Sequence, residues 1–386
     1  MTAMTTTDRP THAYLDALDT IITDVIAPNA AEVDRAGLFP RAALDALGAA
    51  GLLGLISASE VGGLGHGHRA AALVVERIAH HCASTAMVVC MHYAAAAAVE
   101  AHGPCEDRKA IAAGRLVATL AFSESGSRSH FWAPISTATA DGNGVRLDAH
   151  KSWITAAGEA DLYVWSSRPL AADGVSSIWL APSDSAGLRV AAPFDGLGLR
   201  GNCSSPVVAE GVVVPRDAML GADGAGFDVM MAVVLPYFQT MSAAMCVGLM
   251  DATTTRAAAH ASGTTFTEVG QSLADLPTIR AYIARMRVST DMARGLLLDA
   301  LDALDALEGG RDDAMLRVLE VKAAAGEAAN QVTDLGMRVC GGAAFRKEVG
   351  VERFFRDARA ATVMAPTTDV LYDFIGKAAC GMPVFG

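Results

Sequence analysis

Two short stretches decide how this chain reads: Leu-Ala-Phe-Ser-Glu-Ser-Gly-Ser-Arg-Ser at residues 120–129, and His-Lys-Ser-Trp-Ile-Thr at residues 150–155. Between them, Asp141-Gly142-Asn143-Gly144 carries the turn signal of a hairpin and is flanked by short strand-like runs. Small hydroxyl residues and a glycine at the end of an apolar run offer backbone N–H and side-chain O–H donors, which suits a phosphate-bearing or carbonyl-rich ligand. Trp153 and Thr155 stand two apart, so regular strand alternation predicts that they share a face. That face pairs a flat apolar wall with a hydroxyl, a bed for a flat ring such as a flavin.

Outward from these stretches the character of the chain changes twice. Residues 116–215 hold short β-favouring runs at 135–140, 145–147, 162–167, 177–180 and 207–214, separated by Gly, Asp, Asn and Pro, which predicts a small all-β domain. Before them the period is helical. Leu15, Leu18, Ile21, Ile22 and Val25 form an apolar stripe expected to end near Pro28. Further helices are predicted from about Pro40, over 69–81, and over 84–102, the last closed by Gly103-Pro104. After Gly226 the helical period returns over 227–262, 277–308, 312–340 and 368–379, four stripes with short breaks that predict a bundle. The expected division is a helical domain over 1–115, a β domain over 116–225 and a helical bundle over 226–386.

Composition narrows the function. Of 386 residues, 52% are hydrophobic and only 19% charged, which fits helices packed on helices or on partner subunits. A formal net charge of −12 argues against a nucleic-acid groove or an anionic membrane surface. The longest apolar runs, near 94–99 and 233–250, are interrupted by His92, Pro236 and Gln239, and read as core helices rather than membrane spans. The first ten residues show neither a basic start nor an apolar core of a secretory signal. Seven cysteines without a Cys-x-x-Cys pair predict a reduced, cytoplasmic protein with buried free thiols. His66, His68, His80 and His81 lack the companions of a metal site, so no metal is expected.

The two opening stretches resemble the flavin-binding segments of the acyl-CoA dehydrogenase family, T-E-x-x-x-G-S-D and W-I-T-N. The likeness continues in Leu197-Gly-Leu-Arg-Gly201, in Val213-Val-Pro-Arg-Asp217 and in Val351-Glu-Arg-Phe-Phe-Arg-Asp-Ala-Arg359, in the family's order and over nearly the whole chain. The resemblance implies a mainly α fold with a β middle domain: a helical N-terminal domain, a β-sandwich or barrel, and a C-terminal four-helix bundle. It implies FAD, with contacts at Leu120, Phe122, Ser123, Ser129, Trp153, Thr155 and Thr367. It also implies a homo-oligomer, a dimer or a dimer of dimers, because the family completes each flavin site across a subunit boundary. Two substitutions depart from the pattern: Arg128 stands for a glycine and His130 for an aspartate. The family's R-x-x-F-G segment is replaced by Phe266-Thr-Glu-Val-Gly270, without the arginine or the phenylalanine. Its Q-x-x-G-G-x-G-F segment is present as Arg338-Val-Cys-Gly-Gly-Ala-Ala-Phe345, which keeps Gly341 and Gly342. Arg338 is expected to meet the flavin pyrophosphate in place of the missing arginine.

The family's reaction removes a proton α to a thioester with a carboxylate base while the β-hydride goes to flavin N5. Most members carry that glutamate where this chain has Ala365, within Val363-Met-Ala-Pro-Thr367, and others carry it at the position of Phe238, beside Gln239. Asp369 is a candidate replacement base. His92 is a candidate to hold a flavin–oxygen adduct in an oxygen-using relative, with Tyr93, Tyr237 and Gln239 as weaker candidates of the same kind. The implied function is oxidation of an acyl thioester or related small substrate, with a non-standard or absent base and with an electron-transfer flavoprotein or oxygen as acceptor. The alternatives are an oxygen-using monooxygenase or oxidase on the same fold, and a flavin-binding protein without turnover. Neither a nucleic-acid nor a membrane partner is expected.

Overall fold

The computed structural model describes residues 13–127, 130–268, 270–306 and 311–385. It opens with α1 (Ala13–Ile21), which passes through a π-helical turn, Ile22–Ile26, into α2 (Ala27–Ala36). The apolar stripe therefore does not stop at Pro28. The proline sits in the first turn of α2, directly after the π-helical turn in an unbroken helical run, and Gly37 ends the helix at φ 63°. Then follow α3 (Arg41–Ala49), α4 (His68–Ala79), α5 (Ala83–His102) and α6 (Cys105–Ala112).

Eight strands form two sheets: β1 (Ala118–Ala121), β2 (Thr137–Asp141), β3 (Gly144–Ile154), β4 (Leu162–Ser167), β5 (Ser177–Pro182), β6 (Leu188–Val190), β7 (Ser205–Pro215) and β8 (Met219–Leu220). The orders are β1-β4-β5-β8 and β2-β3-β7-β6. Between the sheets lies a small core containing Val145, Leu147, Trp165, Trp179, Val212 and Val214. The opposite face of the first sheet, through Leu120, Leu162, Val164 and Ile178, joins the main helical core. Buried on both faces, β4 has no exposed residue, which is why its sequence does not alternate.

The predicted runs at 145–147 and 150–155 are one strand, β3, bent by two register shifts, at Leu147/Ala149 and Lys151/Ile154. Val145, Leu147, Ala149 and Lys151 all point inward. Beyond Lys151 the alternation slips. Trp153 takes φ 57° and is 71% exposed, while Ile154 and Thr155 are both buried. The expectation that Trp153 and Thr155 share a face by strand alternation fails at this bulge, which re-aims one side chain.

The C-terminal helices begin with α7 (Gly226–Val229), a π-helical turn at Met230–Val234, and α8 (Leu235–Gly263). A short hairpin, β9 (Thr265–Phe266) with β10 (Gln271–Ser272), leads to α9 (Pro277–Asp305), α10 (Ala314–Cys340), α11 (Val351–Ala358), α12 (Ala360–Val363) and α13 (Thr368–Ala379). Helix α8 packs against α4, α5, α9 and α10. That surround explains an apolar composition on every side. The stretches 83–102 and 226–263 are long and apolar enough to cross a membrane, but their most apolar parts are 89% and 78% buried inside the fold. All seven cysteines are free; Cys105 and Cys380 are exposed, so the expectation of buried thiols holds only for part of the set.

Candidate active site

A cleft of about 790 Å³ opens between the sheets and the helices, and a narrower apolar pocket shares Met91, Ser123, Phe131, Trp153, Phe238 and Ala365 with it. Its first wall is the loop after β1. Glu124 bridges to Lys151 of β3, and the Ser152 N–H donates to the Ser123 carbonyl at 2.9 Å. The Glu124 and Lys151 side chains form a buried ion pair. Glu124 also accepts from the N–H groups of Ile135 (2.7 Å) and Ser136 (3.0 Å) and from the Ser136 hydroxyl. Lys151 Nζ donates to the Ser166 carbonyl at 2.7 Å and hydroxyl at 2.9 Å, 5.2 Å from the Trp165 ring centroid. Burial opposes ionisation of Glu124, yet the Lys151 ammonium and these donors hold its carboxyl below the usual range. Burial presses Lys151 down to about 8 against the pull of Glu124. The sequence reading missed this pair; a lysine at an inward position of β3 was its only signal.

The second wall follows from the β3 bulge. Trp153 stands out into the cleft with Phe194 edge-on at 6.5 Å. Thr155 exchanges a hydrogen bond with Ser204 at 3.1 Å, and its carbonyl accepts from the Thr119 hydroxyl at 2.8 Å. The facing loop carries Leu199 at φ 50° and Cys203 at φ 49°. A Cβ at Gly198 would collide with the Arg356 carbonyl, so only glycine lets the loop lie against α11. The Leu199 N–H donates to Asp357 at 2.6 Å, and burial raises the Asp357 carboxyl to about 6. Arg356 is held by Asp34 and Glu352.

The third wall is the connection from α12 to α13. Buried Lys322 of α10 donates to the carbonyls of Ala361 (3.3 Å), Met364 (3.0 Å) and Pro366 (2.8 Å), gripping the loop on both sides of Ala365. Burial lowers Lys322 to about 8. Nothing in the local sequence marks this lysine.

The structure brings Leu120, Phe122, Ser123, Trp153 and Thr155 together on these walls. Ser129 and Arg128 lie outside the described residues. Thr367 caps α13, its hydroxyl accepting from the Val370 N–H, and is not on the cleft lining. Asp369 lies in the first turn of α13 and lines a different cavity, whereas Ala365 lies in the connection before that helix and lines the cleft, so the two do not face the same space. His92 is wholly buried between α5 and β1. The Ala118 N–H donates to its Nδ1 at 3.1 Å, and Nε2, which then carries the proton, donates to the Leu53 carbonyl at 2.9 Å. Burial lowers its pKa, and neither nitrogen is free for a ligand. Tyr93 likewise spends its hydroxyl on the Leu52 carbonyl at 2.7 Å, and Tyr237 stacks on His68 at 3.8 Å. Gln239 is buried away from the cleft, its amide without a hydrogen-bond partner among the described residues. Arg338 lies 4.5 Å from the Tyr282 ring centroid and donates to its hydroxyl, and neither it nor Gly341 and Gly342 line the cleft of their own chain. Arg338 therefore stands apart from the cleft of its own chain.

Both positions where a base was sought, Ala365 and Phe238, do line the cleft, and both are apolar. Its ionisable lining among the described residues is Glu124, Asp195, Arg356 and Arg359. Glu124 is saturated, and Asp195 is solvent-exposed beside Arg200. The cleft can stack a flat ring and exclude water, but among the described residues it offers no free carboxylate or imidazole between its apolar walls.

An indole standing in a deep cleft beside apolar pockets, on two packed sheets flanked by helices, is the architecture of a flavoprotein oxidoreductase of the acyl-CoA dehydrogenase type. Residues 10–114, 119–212 and 224–380 match the models of the acyl-CoA dehydrogenase N-terminal, middle and C-terminal domains, and the chain belongs to that family. It is 29% identical over 351 residues to the human mitochondrial short-chain specific acyl-CoA dehydrogenase, covering 89% of this chain and 83% of the relative. It is 27% identical over 373 residues to cyclohex-1-ene-1-carbonyl-CoA dehydrogenase of Geobacter metallireducens, covering 94% and 96%. Among solved structures it is similar to FkbI, described as for biosynthesis of the methoxymalonyl extender unit of the Fk520 polyketide, with a TM-score of 0.83, 28% identity, and coverage of 95% and 99%.

Proposed function

We propose that this protein holds FAD in the cleft and oxidises the acyl group of a thioester, or a related small substrate, without a carboxylate from either wall. The observation that carries the flavin is Trp153. A tryptophan 71% exposed inside a concave site, held there by a bulge at φ 57°, is a wall that a flat ring would cover. Trp153 and Val363 would flank the ring, Thr155 would offer its hydroxyl to the ring edge, and Ser125 and Ser127 would supply donors farther out. When bound, the flavin supplies a hydride acceptor at N5.

The residues of the chain orient the substrate and exclude water. Met91, Phe122, Phe131, Leu235 and Phe238 form a dry pocket for an alkyl or small cyclic acyl group. Desaturation of a thioester releases a β-hydride and an α-proton. The hydride has its acceptor, whereas the proton has no free side chain to accept it among the described residues of the cleft. Such a site suits a substrate whose α C–H is already acidic, or one oxidised at a carbon bearing oxygen or nitrogen, where the proton leaves from the heteroatom to solvent at the open mouth of the cleft, outside the dry pocket. The names of the human and Geobacter relatives, both acyl-CoA dehydrogenases, support a thioester, and that of FkbI supports a place in making a polyketide building block.

The same bare walls favour one second reading, an oxygen-using flavoenzyme, which needs no α-proton acceptor. A homo-oligomer belongs to the proposal, because Gly341 and Gly342 are uncovered and Phe345 is 82% exposed at an end of α10 that serves no site in its own chain. Anaerobic mixing of the FAD-loaded protein with a panel of acyl thioesters should bleach the flavin. If no member bleaches it while oxygen uptake accompanies a supplied reduced flavin, the second reading replaces the first.

A further inference from the structure

Basic side chains gather where the end of α4, the second half of α8 and the start of α11 meet, and none of them lines the cleft or the cavity beside α13. Arg256 of α8 and Arg353 of α11 approach the Phe354 ring, their guanidinium carbons 5.4 and 5.2 Å from its centroid. Arg353 is only 9% exposed. One of its terminal nitrogens donates to the His81 carbonyl at 2.9 Å, while its buried Nε has no hydrogen-bond partner among the described residues. The His80 and His81 ring centroids lie 4.9 Å apart. Gly350, the N-cap of α11, stands against Arg256: a Cβ there would be 3.3 Å from Nη1.

Neither arginine is paired with a carboxylate among the described residues, and the carboxylates nearby are spent elsewhere. Asp251, 3.7 Å from His80, is bound by Arg287 at 2.7 Å, and Glu76 is bound by Arg294 at 2.9 Å. Glu352, in the first turn of α11, is turned to Arg356 at 2.6 Å and to Lys347 at 2.8 Å. Asp357, one turn after Arg353, accepts the Leu199 N–H at 2.6 Å. A ring face stabilises a guanidinium but leaves its charge intact. The first turn of a helix adds positive character through N–H groups that lack intrahelical partners. The negative end of α4 offsets only part of this, since the His81 carbonyl already accepts from Arg353. Loss of water lowers the pKa of His80, His81 and Arg256, and repulsion from His80, Arg256 and Arg353 lowers His81 further. The chain as a whole carries −12, so this positive focus runs against its average.

We propose that this junction of α4, α8 and α11 is a binding site for a phosphate group, separate from the cleft. The two guanidinium forks can share the phosphate oxygens, the first-turn amides of α11 can donate to another, and the histidines become partners when protonated. An apolar or cationic ligand would gain none of this. Arg256 is exposed while Arg353 is buried, so the site has an open side and admits either free phosphate or the phosphoryl end of a monoester. An anion held here ties α11 to α4 and α8, and α11 is also the helix whose Arg356 lines the cleft.

Calorimetric titration of the FAD-loaded protein with inorganic phosphate, and separately with ethyl phosphate, tests the site, with chloride holding the ionic strength constant. At least one of the two should bind saturably with a Kd of about 1 mM or tighter and raise the thermal midpoint above the chloride control. Binding of inorganic phosphate alone would mark free phosphate as the occupant, and binding of ethyl phosphate would mark a monoester. Arg256→Gln, at an exposed position, should weaken the binding by at least about fivefold while leaving the visible flavin spectrum unchanged. Arg353→Lys keeps the charge without the fork and should weaken it as well. No saturable binding of either anion, or binding that Arg256→Gln weakens by less than about fivefold, would overturn the proposal.

Discussion

Phe238 of α8 and Ala365 of the connection before α13 line the same cleft, although 126 positions of chain separate them. Each occupies a position where the resemblance to the family implies a glutamate base, so the cleft can be re-equipped from either side. Ala365→Glu should restore a proton acceptor beside the dry pocket and raise the rate of flavin bleaching by short acyl-CoA thioesters by about 10²-fold. Phe238→Glu tests the same point from the opposite element. If neither changes the rate, the cleft is not where the thioester reacts.

Trp153 is expected to trade stability for the ligand. At φ 57° a residue with a side chain stores about 1 kcal/mol that glycine would not. Because the indole is mostly exposed, little packing is lost with it. Trp153→Gly should raise the denaturation midpoint of the apoprotein and weaken FAD at least about tenfold, or about 1.4 kcal/mol. Equilibrium dialysis of reconstituted protein and denaturant melts measure the two halves. Unchanged flavin affinity would remove Trp153 from the site.

Lys322 is expected to set the shape of the third wall. Lys322→Met keeps the bulk of the side chain but leaves the Ala361, Met364 and Pro366 carbonyls without their shared donor. A loss of about 2–3 kcal/mol is expected. If the loop is part of the site, the visible spectrum of any flavin retained should shift as well. A stability loss with an unaltered spectrum would mark Lys322 as purely structural.

Asp357 gives a pH dependence with a definite sign. Burial raises its carboxyl from 3.8 to about 6, so the folded protein holds this proton more tightly than the unfolded chain does. Stability from this group is therefore greatest below about pH 4, declines as pH rises to about 6, and stays lower above that, by about 3 kcal/mol at most. Asp357→Asn keeps an acceptor for the Leu199 N–H and removes the ionisation. The variant should match the parent near pH 4 and exceed it by about 1–3 kcal/mol at pH 7 in paired denaturant melts. A constant difference across that range would show that Asp357 is not the titrating group.

Local pattern made much of this protein legible. The period of apolar residues marked helices at 277–308, where α9 spans Pro277–Asp305, and at 368–379, and the sheet block between two helical blocks, because each such signal lies within a few turns or one strand. Leu120, Phe122, Ser123, Trp153 and Thr155 were legible as neighbours because they belong to two short motifs that a single pair of neighbouring elements brings to one cleft and its adjoining pocket. Ala365 and Phe238 were legible as vacancies for the same reason: an absent carboxylate shows in the sequence itself.

What only the tertiary structure decided was how the polar side chains are spent. The sequence cannot tell a histidine that meets a ligand from His92, whose two nitrogens are taken by Leu53 and Ala118 on separate elements. Nor can it show that Lys322 grips carbonyls 39 to 44 residues away, or that Glu124 is neutralised by Lys151 across a strand pair. Asp369 stands only a few residues after Ala365, yet the start of α13 between them places it in another cavity. A buried polar group must find its partner wherever the fold supplies one, and that partner is set by three-dimensional packing rather than by neighbours in the chain.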